Sequence, residues 1–574
     1  MNRFLIPLFF LVLLSGCNGC SDKKDDKQVK AEDPEQINRL TADFIKEKIS
    51  SLYTSKSSSL AGDTMLTGAW LKTFYTGREY KTAWTDKGKF VPAGDTLFRI
   101  VQDAIAYGLI PKDYHAALLD SLFRTAYDST EENYNVTKLA QADILLTDAF
   151  FTFAVHVSTG RMAADTSEER EWHPQRFDST LNIVTLLNEA IKNKNIRATI
   201  DSLEPKHKDY RLVKKQLALF RKEFANADWD TLPDIEKDTA AFYKALKPRL
   251  IAGHDYDTTK TGDDSLLLAE AIKKFQKRCG LEPDGKTGKL TRKALNMTKE
   301  DRIRQFAVNL ERWRLEPRQY DKRHILVNIP AFHMKVMEED TMVMESRIVV
   351  GAPKTQTPQL TSKITFMIMY PYWNVPYSIA WKEILPAVKR DTNYLHKKNF
   401  EVLDRNGNIV PPSQVNWSRL SKGNLPYKFR QRIGEDNSLG VLKFDFANKF
   451  GVYMHDTNSK RYFSVENRAQ SHGCMRLEKY KELAYFLIRE DSVKLPKDTF
   501  DVQLTQQVQR RIYVKKPLRL YVRYFTCFTD SKGNFFLLND LYGRDERIMR
   551  VLYNEGGRSK KKYVAPAPTP ATKA

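Results

Sequence analysis

The chain has 574 residues, 41% of them hydrophobic, which is enough for three or four domains of about 100–200 residues each. Its net charge is +22, but the basic residues are spread out without a basic block, which argues against a protein that binds nucleic acid. The excess of positive charge is interpreted either as a solvated basic surface or as a surface complementary to an acidic polymer. The five cysteines are too scattered to indicate a disulfide framework.

The first 17 residues combine a short basic start with an apolar run at residues 4–14, too short to span a bilayer permanently. Residues 14–17 (LSGC) resemble a bacterial lipobox, which implies cleavage before Cys17 and a lipid on its thiol. Cys20 is a weaker candidate, and an ordinary signal peptide is the alternative. Residues 18–40 are highly charged and predict a flexible tether.

Residues 41–254 are predicted to be mostly helical, because their apolar residues recur at helical spacing. His156 lies on an apolar helix face and is read as a core histidine. Residues 255–300 predict a small helical module, in which one amphipathic helix carries the stripe Leu268, Ala271, Ile272 and Phe275. Residues 301–323 follow as a linker helix.

From residue 324 the pattern changes to short β-rich runs, which predict a β-dominated domain over residues 324–505. Residues 377–432 interrupt it, helical at first and then loop-like and basic. They are interpreted as a capping insertion over a cleft or as an inert surface excursion. Residues 506–554 predict a C-terminal extension, and the Pro- and Ala-rich residues 555–574 are predicted to be disordered.

The strongest candidates for catalytic residues are His455 and the run Ser471-His472-Gly473-Cys474. A nucleophilic cysteine needs a base near its thiol and N–H donors for the oxyanion that forms on the attacked carbonyl. His455 can supply the base, and the backbone around Gly473 can supply the donors. Two other readings stay open: a buried core cysteine, and a zinc site built from His455, His472 and Cys474.

The spacing of His455 from the Ser-His-Gly-Cys run resembles the signature of the L,D-transpeptidase (YkuD-type) family, in its large periplasmic branch. The helical region, the module at 255–300 and the segment around Trp373 resemble the same branch. The fold class implied is α+β multidomain: a helical scaffold, a three-helix peptidoglycan-binding-like domain and a β-sandwich-like catalytic domain. The three-helix module either binds wall or acts as a spacer.

The resemblance implies acyl transfer on peptidoglycan stem peptides, whose free carboxylates suit a basic protein. Cys474 attacks the amide between a diamino acid and D-alanine, and an amine of a neighbouring stem takes the acyl group, giving a 3→3 cross-link. His455 is the implied base, and an imidazolium beside the thiol is expected to lower its pKa. Backbone donors of Gly473 and Cys474 are expected to hold the oxyanion.

The remaining site residues have supporting roles. Ser471 and His472 are expected to shape the loop, and Tyr453 and Trp373 to line the cleft. Arg476 either pairs with a substrate carboxylate or forms a structural salt bridge. No metal or organic cofactor is implied, and carbapenem β-lactams are expected to acylate Cys474.

Three alternatives to this transpeptidase function remain open. Water as the acceptor gives an L,D-carboxypeptidase, and the lysine of another protein gives attachment of that protein to the wall. A non-enzymatic wall-anchoring lipoprotein is the third. The expected location is the periplasmic side of a bacterial membrane, with the outer membrane favoured.

Overall fold

The computed structural model describes residues 30–31, 33–51, 59–128, 133–162 and 182–553. The predicted lipobox at Cys17, the alternative at Cys20 and the tail 555–574 lie outside these residues. Within them, the helices are all too short or too polar to cross a membrane.

The helical region predicted for the first half of the chain is confirmed. Its centre is a 24-residue helix that is buried on nearly all sides, which is why its sequence is apolar all round rather than on one stripe. His156 lies inside this core, with Nδ1 2.9 Å from the Tyr114 hydroxyl, as expected of a core histidine. The helices of this scaffold are α1 (Pro34–Ser51), α2 (Gly68–Gly77), α3 (Pro92–Gln102), α4 (Ala116–Thr125), α5 (Val136–Thr159), α6 (Ile183–Lys192), α7 (Ile196–Leu203) and α8 (Lys208–Glu223).

The small module consists of α9 (Thr239–Ala252), α10 (Asp264–Arg278) and α11 (Lys289–Leu295). The predicted stripe on α10 is confirmed, since Ala271, Ile272 and Phe275 are buried. The core of the module also takes in Leu246 and Leu250 of α9. The packed unit therefore begins before residue 255.

The predicted linker helix, α12 (Lys299–Arg314), is a central packing element rather than a spacer. It begins with a capping box between Thr298 and Asp301. Its charged residues are buried because they have partners: Arg312 pairs with Asp545, and Arg314 donates to the Tyr107 carbonyl. The helix thus joins the scaffold to the C-terminal part of the chain.

The β-rich domain is built on one nine-stranded mixed sheet. The strands are β1 (Arg323–Asn328), β2 (His333–Glu338), β3 (Thr341–Gly351), β4 (Leu360–Met369), β9 (Leu442–Phe446), β10 (Met454–His455), β11 (Ala469–Ser471), β12 (Met475–Leu477) and β13 (Arg510–Arg523). Their order in the sheet is β11-β3-β12-β10-β9-β4-β13-β1-β2. The sheet closes on itself, because β2 pairs with β1 on one side and with β3 on the other.

One boundary differs from the sequence-based prediction. β13 lies in the predicted C-terminal extension, yet it occupies the middle of the sheet between β4 and β1. The β-rich domain therefore extends to residue 523. The true extension begins after it, with β14 (Cys527–Thr529), β15 (Phe535–Leu537) and α18 (Arg544–Leu552).

The insertion is a small folded unit, and the prediction of a loop-like second half was wrong. Its elements are β5 (Trp373–Asn374), α13 (Tyr377–Ile379), a π-helical segment (Ala380–Ile384), α14 (Leu385–Arg390), α15 (Tyr394–Lys397), β6 (Phe400–Leu403), β7 (Ile409–Val410) and β8 (Lys428–Gln431). The four strands form a sheet in the order β5-β8-β6-β7, and the unit has a hydrophobic core of its own, which includes Val388, Trp417 and Phe429. We call residues 373–431 the cap. Two further helices, α16 (Tyr480–Ile488) and α17 (Lys497–Thr505), pack on the main sheet.

Candidate active site

A pair of parallel strands brings the motif together. β10 and β12 pair with Met454 opposite Met475, so Tyr453 and Cys474 stand at the same level one residue earlier. Met454 and Met475 are both buried in the core of the sheet. Because successive side chains alternate faces, Tyr453, His455 and Cys474 emerge together on the other face.

The loop between β11 and β12 is held by a serine and two threonines. Ser471 Oγ donates to the Cys474 carbonyl at 2.6 Å and accepts the Gly473 N–H at 3.2 Å. Thr357 donates to the Gly473 carbonyl, and Thr355 to the Ser471 carbonyl. Gly473 has φ +113°, a conformation that other residues rarely adopt. Ser471 thus holds the loop through two hydrogen bonds.

These bonds bear on the expected oxyanion donors. The Gly473 N–H is already donated to Ser471, so it is not available in the resting loop. The Cys474 N–H makes no hydrogen bond to any described residue. Of the two donors predicted from sequence, Cys474 is therefore the one left open.

His455 is buried, and its Nδ1 donates to the Asp456 carbonyl. A neutral imidazole with hydrogen on Nδ1 carries its lone pair on Nε2. Burial, followed by the positive charge of Arg476, lowers the pKa of His455 to about 3. The ring is therefore an unprotonated base at neutral pH.

The Cys474 thiol is also neutral at rest. Burial raises its pKa, and the opposing effects of the Tyr453 backbone and hydroxyl, which both face the sulfur, are smaller. The thiolate–imidazolium pair expected from sequence is therefore wrong for the resting site, because both groups are desolvated and cations surround the imidazole. Within the described part of the chain, no hydrogen bond joins His455 to Cys474, and the rings of Tyr453 and His455 lie 5.6 Å apart.

Tyr453 connects the sulfur to the cap. Its hydroxyl interacts with Cys474 on one side and with Trp373 of β5 on the other. Lys443 Nζ lies 4.2 Å from the centre of its ring. Burial raises the pKa of Tyr453, so the phenol stays protonated and can donate toward the sulfur. Of the two residues expected to line the cleft, Tyr453 lies beside Cys474, and Trp373 contacts Tyr453.

His472 points elsewhere than its neighbours in the motif. It is exposed, and its Nε2 lies 2.6 Å from Oε1 of Glu383 in the π-helical segment of the cap. The contact joins the cysteine loop to the cap, which agrees with a shaping role for His472.

Arg476 follows the catalytic loop on β12, level with His455. Its Nε is buried without a hydrogen-bond partner, and no carboxylate of a described residue lies within ion-pair distance of the guanidinium. The guanidinium stacks on the Tyr462 ring at 5.4 Å, and burial lowers its pKa. The alternative of a structural salt bridge therefore finds no partner among the described residues.

The zinc reading finds no support in the arrangement of ligands. Among the described residues, no group of three His, Cys, Asp or Glu side chains is placed to hold a metal ion. His472 is paired with Glu383, and His455 faces a carbonyl. The two remaining described cysteines, Cys279 and Cys527, are buried in cores.

Several residues of the site were not found from sequence. Lys443, Glu383 and the Thr355–Thr357 turn are far from the motif along the chain and reach it only through strand pairing or the cap. Asp456 contributes its backbone carbonyl, which any residue could supply, so its identity gave no signal.

Three protein-family models match the chain. A "Scaffold domain" covers residues 69–217, a "Putative peptidoglycan binding domain" residues 241–295, and an "L,D-transpeptidase catalytic domain" residues 322–495. A protein of Haemophilus influenzae named "Putative L,D-transpeptidase" is 33% identical over 252 residues, 44% of this chain. The chain matches only half of that relative's length, at 50%. A crystal structure of an L,D-transpeptidase from Stackebrandtia nassauensis matches at 17% identity and a TM-score of 0.18, over 48% of this chain and 88% of that one.

Proposed function

Because the chain carries an L,D-transpeptidase catalytic domain at residues 322–495, we propose that it forms 3→3 cross-links in peptidoglycan by cysteine acyl transfer. The observation that carries this proposal is that Cys474, the neutral His455 imidazole and the protonated Tyr453 phenol share one face of β10 and β12. Peptidoglycan is the partner that the transpeptidase domain and the peptidoglycan-binding domain both support.

In the first half-reaction, Sγ of Cys474 attacks the carbonyl between the diamino acid and D-alanine of a tetrapeptide stem. The thiol proton passes to Nε2 of His455, and an S–C bond forms. The C–N bond then breaks, and His455 returns the proton to the departing amine of D-alanine. Since both groups are neutral at rest, proton transfer accompanies attack rather than preceding it.

The developing charges have partners in the site. The free N–H of Cys474 can donate to the oxyanion, and one such donor is worth roughly 3 kcal/mol in a water-excluded site. The Tyr453 hydroxyl is aimed at the sulfur and supports it as negative charge develops. Arg476, whose guanidinium pairs with no carboxylate of the described residues, is left to bind a carboxylate of the stem.

In the second half-reaction, the side-chain amine of a neighbouring stem attacks the thioester. His455 takes a proton from this amine, the new amide forms, and the Cys474 thiolate leaves and is reprotonated. Water in place of the amine would make the same site an L,D-carboxypeptidase, and a protein lysine would attach that protein to the wall. The cap is the element that would exclude water from the thioester.

The products of one incubation separate these outcomes. Purified protein and a disaccharide-tetrapeptide are expected to give a cross-linked dimer together with free D-alanine, detected by mass spectrometry. A tripeptide product without dimer would instead identify a carboxypeptidase. Cys474→Ala is expected to abolish both products, whereas Cys279→Ala, which removes a buried thiol elsewhere, retains them.

A carbapenem adduct tests the nucleophile directly. The intact mass of the wild-type protein and of Cys279→Ala is expected to rise by one carbapenem, while Cys474→Ala is unchanged. A protein whose thiol is idle, as in a non-enzymatic wall anchor, would show no adduct at all.

We also propose that the chain is exported and held on the periplasmic side of a bacterial membrane by lipid on Cys17. The sequence around that residue is the support for this proposal. Metabolic labelling with a fatty acid is expected to mark the wild-type protein and not Cys17→Ala. Labelling that survives this change would move the anchor to Cys20 or elsewhere.

A further inference from the structure

The strand register aligns residues in rows across five adjacent strands, β12-β10-β9-β4-β13. Tyr453 stands level with Cys474, and the β10–β9 pairing places Asp445 next in line. Asp445 faces Phe366, which in turn faces Tyr513. We call these the first row: Cys474, Tyr453, Asp445, Phe366 and Tyr513.

A second row lies two residues along each strand and therefore on the same face. Arg476 pairs with His455, and His455 with Lys443. Lys443 faces Ile368, and Ile368 faces Arg511. The residues between the rows, among them Met454, Phe444 and Met367, are buried in the core on the opposite face.

Contacts between side chains join the rows into one surface. Lys443 Nζ lies 4.2 Å from the Tyr453 ring centre and 2.6 Å from Asp445. At the far end, Phe366 lies 6.0 Å from the ring of Tyr513, and the guanidinium of Arg511 lies 4.7 Å above Phe366. We call Phe366, Arg511 and Tyr513 the distal cluster.

The distal cluster is open where the catalytic end is enclosed. Tyr513 is 68% exposed, whereas His455 is buried. Arg511 is exposed, and no described carboxylate pairs with its guanidinium. The exposed Tyr513 ring offers a flat face, and the partly buried Phe366 beside it carries a guanidinium that no described carboxylate neutralises and that can donate to a polar ligand.

The span of the rows fits the donor stem. Neighbouring strands are about 4.8 Å apart, so the distal cluster lies about 14–19 Å from the strand of Cys474. The attacked carbonyl belongs to the third residue of the stem, and three extended residues cover about 10 Å. A stem whose carbonyl is at the sulfur therefore ends at about the level of β9, and the sugar that it carries extends from there toward Phe366, Tyr513 and Arg511.

We propose that the two rows form the binding track of the donor strand, with the sugar attached to the stem on the distal cluster. This rests on the proposed function, because it takes Cys474 as the point of attack. The ring of Tyr513 packs against the C–H face of the sugar, and the Arg511 guanidinium, which lies over Phe366, donates to the oxygens of the same sugar. Donors that carry sugar are thereby preferred over free peptides.

Binding without turnover tests the track. Full-length Cys474→Ala protein is titrated by calorimetry with a disaccharide-tetrapeptide and with the free tetrapeptide. The sugar-bearing fragment is expected to bind about tenfold more tightly, and Tyr513→Ala or Arg511→Ala to remove most of that difference. Binding of the free tetrapeptide is expected to stay unchanged in both variants.

Two control variants lie on the same sheet outside the rows. Val343→Ala removes an exposed apolar side chain of β3, and Arg519→Ala removes a cation of β13 that pairs with Asp321. Both are expected to keep the preference for the sugar-bearing fragment. Thermal melting checks that all four variants are folded.

The proposal is overturned if sugar adds nothing to binding, or if Tyr513→Ala weakens both ligands equally. Turnover by the wild-type protein is scored separately. Selective binding without turnover would contradict the proposed function and leave the track intact. Turnover without selective binding would support the proposed function and contradict the track.

Discussion

His472 of the cysteine loop reaches the cap, where its Nε2 lies 2.6 Å from Oε1 of Glu383. Both side chains are about half exposed, at 46% and 51%. Such a pair adds little to global stability, typically about 0–1 kcal/mol. Its significance is positional, because it ties the loop that carries Cys474 to the cap.

Removing this contact is expected to loosen the cap without unfolding the protein. His472→Ala and Glu383→Ala should each increase hydrogen exchange in residues 377–390 and lower the rate of carbapenem acylation by about two- to tenfold. His396→Ala, which removes an exposed histidine that lies in the cap itself, is the control. Unchanged exchange in both variants would show that the contact does not hold the cap.

Ser471 should matter more for activity than for stability. Ser471→Ala removes one bond to Gly473 and one to Cys474, so the loop loses its shape and acylation is expected to fall about 10- to 100-fold. Ser346→Ala is a matched control, because Ser346 is also buried and also bonds one carbonyl and one N–H, away from the site. Equal losses of activity in the two variants would contradict a specific role for Ser471.

Gly473 is required for its backbone conformation rather than for space. A Cβ at this position would meet atoms only at 3.5 Å or beyond, but φ is +113°. Gly473→Ala is therefore expected to distort the loop and to suppress acylation at least tenfold. Gly451 also has a positive φ, of 66°, but its surroundings are open. Gly451→Ala should therefore lower stability by about 1 kcal/mol and leave activity unchanged.

The pH dependence should reflect two neutral groups. The pKa of His455 is lowered to about 3, so the base stays unprotonated as pH falls from about 7 to about 5, and acylation should not decline with a midpoint near 6.5. The pKa of Cys474 is raised, so alkylation by iodoacetamide should be slow at neutral pH and should rise above about pH 9. Cys474→Ala shows which labelling belongs to this thiol. Fast alkylation near pH 6 would instead reveal an ionised pair.

The motif alone located most of the site. Tyr453, His455, Ser471 and Cys474 are close in sequence, and a short parallel strand pair is enough to bring them together. Their protonation states could not be predicted in the same way. These depend on burial and on Arg476 and Lys443, and burial is a property of the folded surroundings.

The fold was predictable where local pattern decides and unpredictable where distant segments meet. The stripe on α10 and the apolar α5 are local, and both were evident in the sequence. The central place of β13 depends on pairing with β4, about 150 residues earlier, and alternation within β13 gives no sign of its partner. The sheet within the cap was missed because its strands are only two to four residues long.

The place of β13 also determines when the enzyme can exist during synthesis. Its neighbours β1 and β4 are translated long before it and have open edges until residue 523 emerges from the ribosome. A premature stop just after α17 would leave the closed sheet open between β4 and β1, because both strands would lose their pairing with β13. Shortened products of this gene would therefore carry no partially working catalyst.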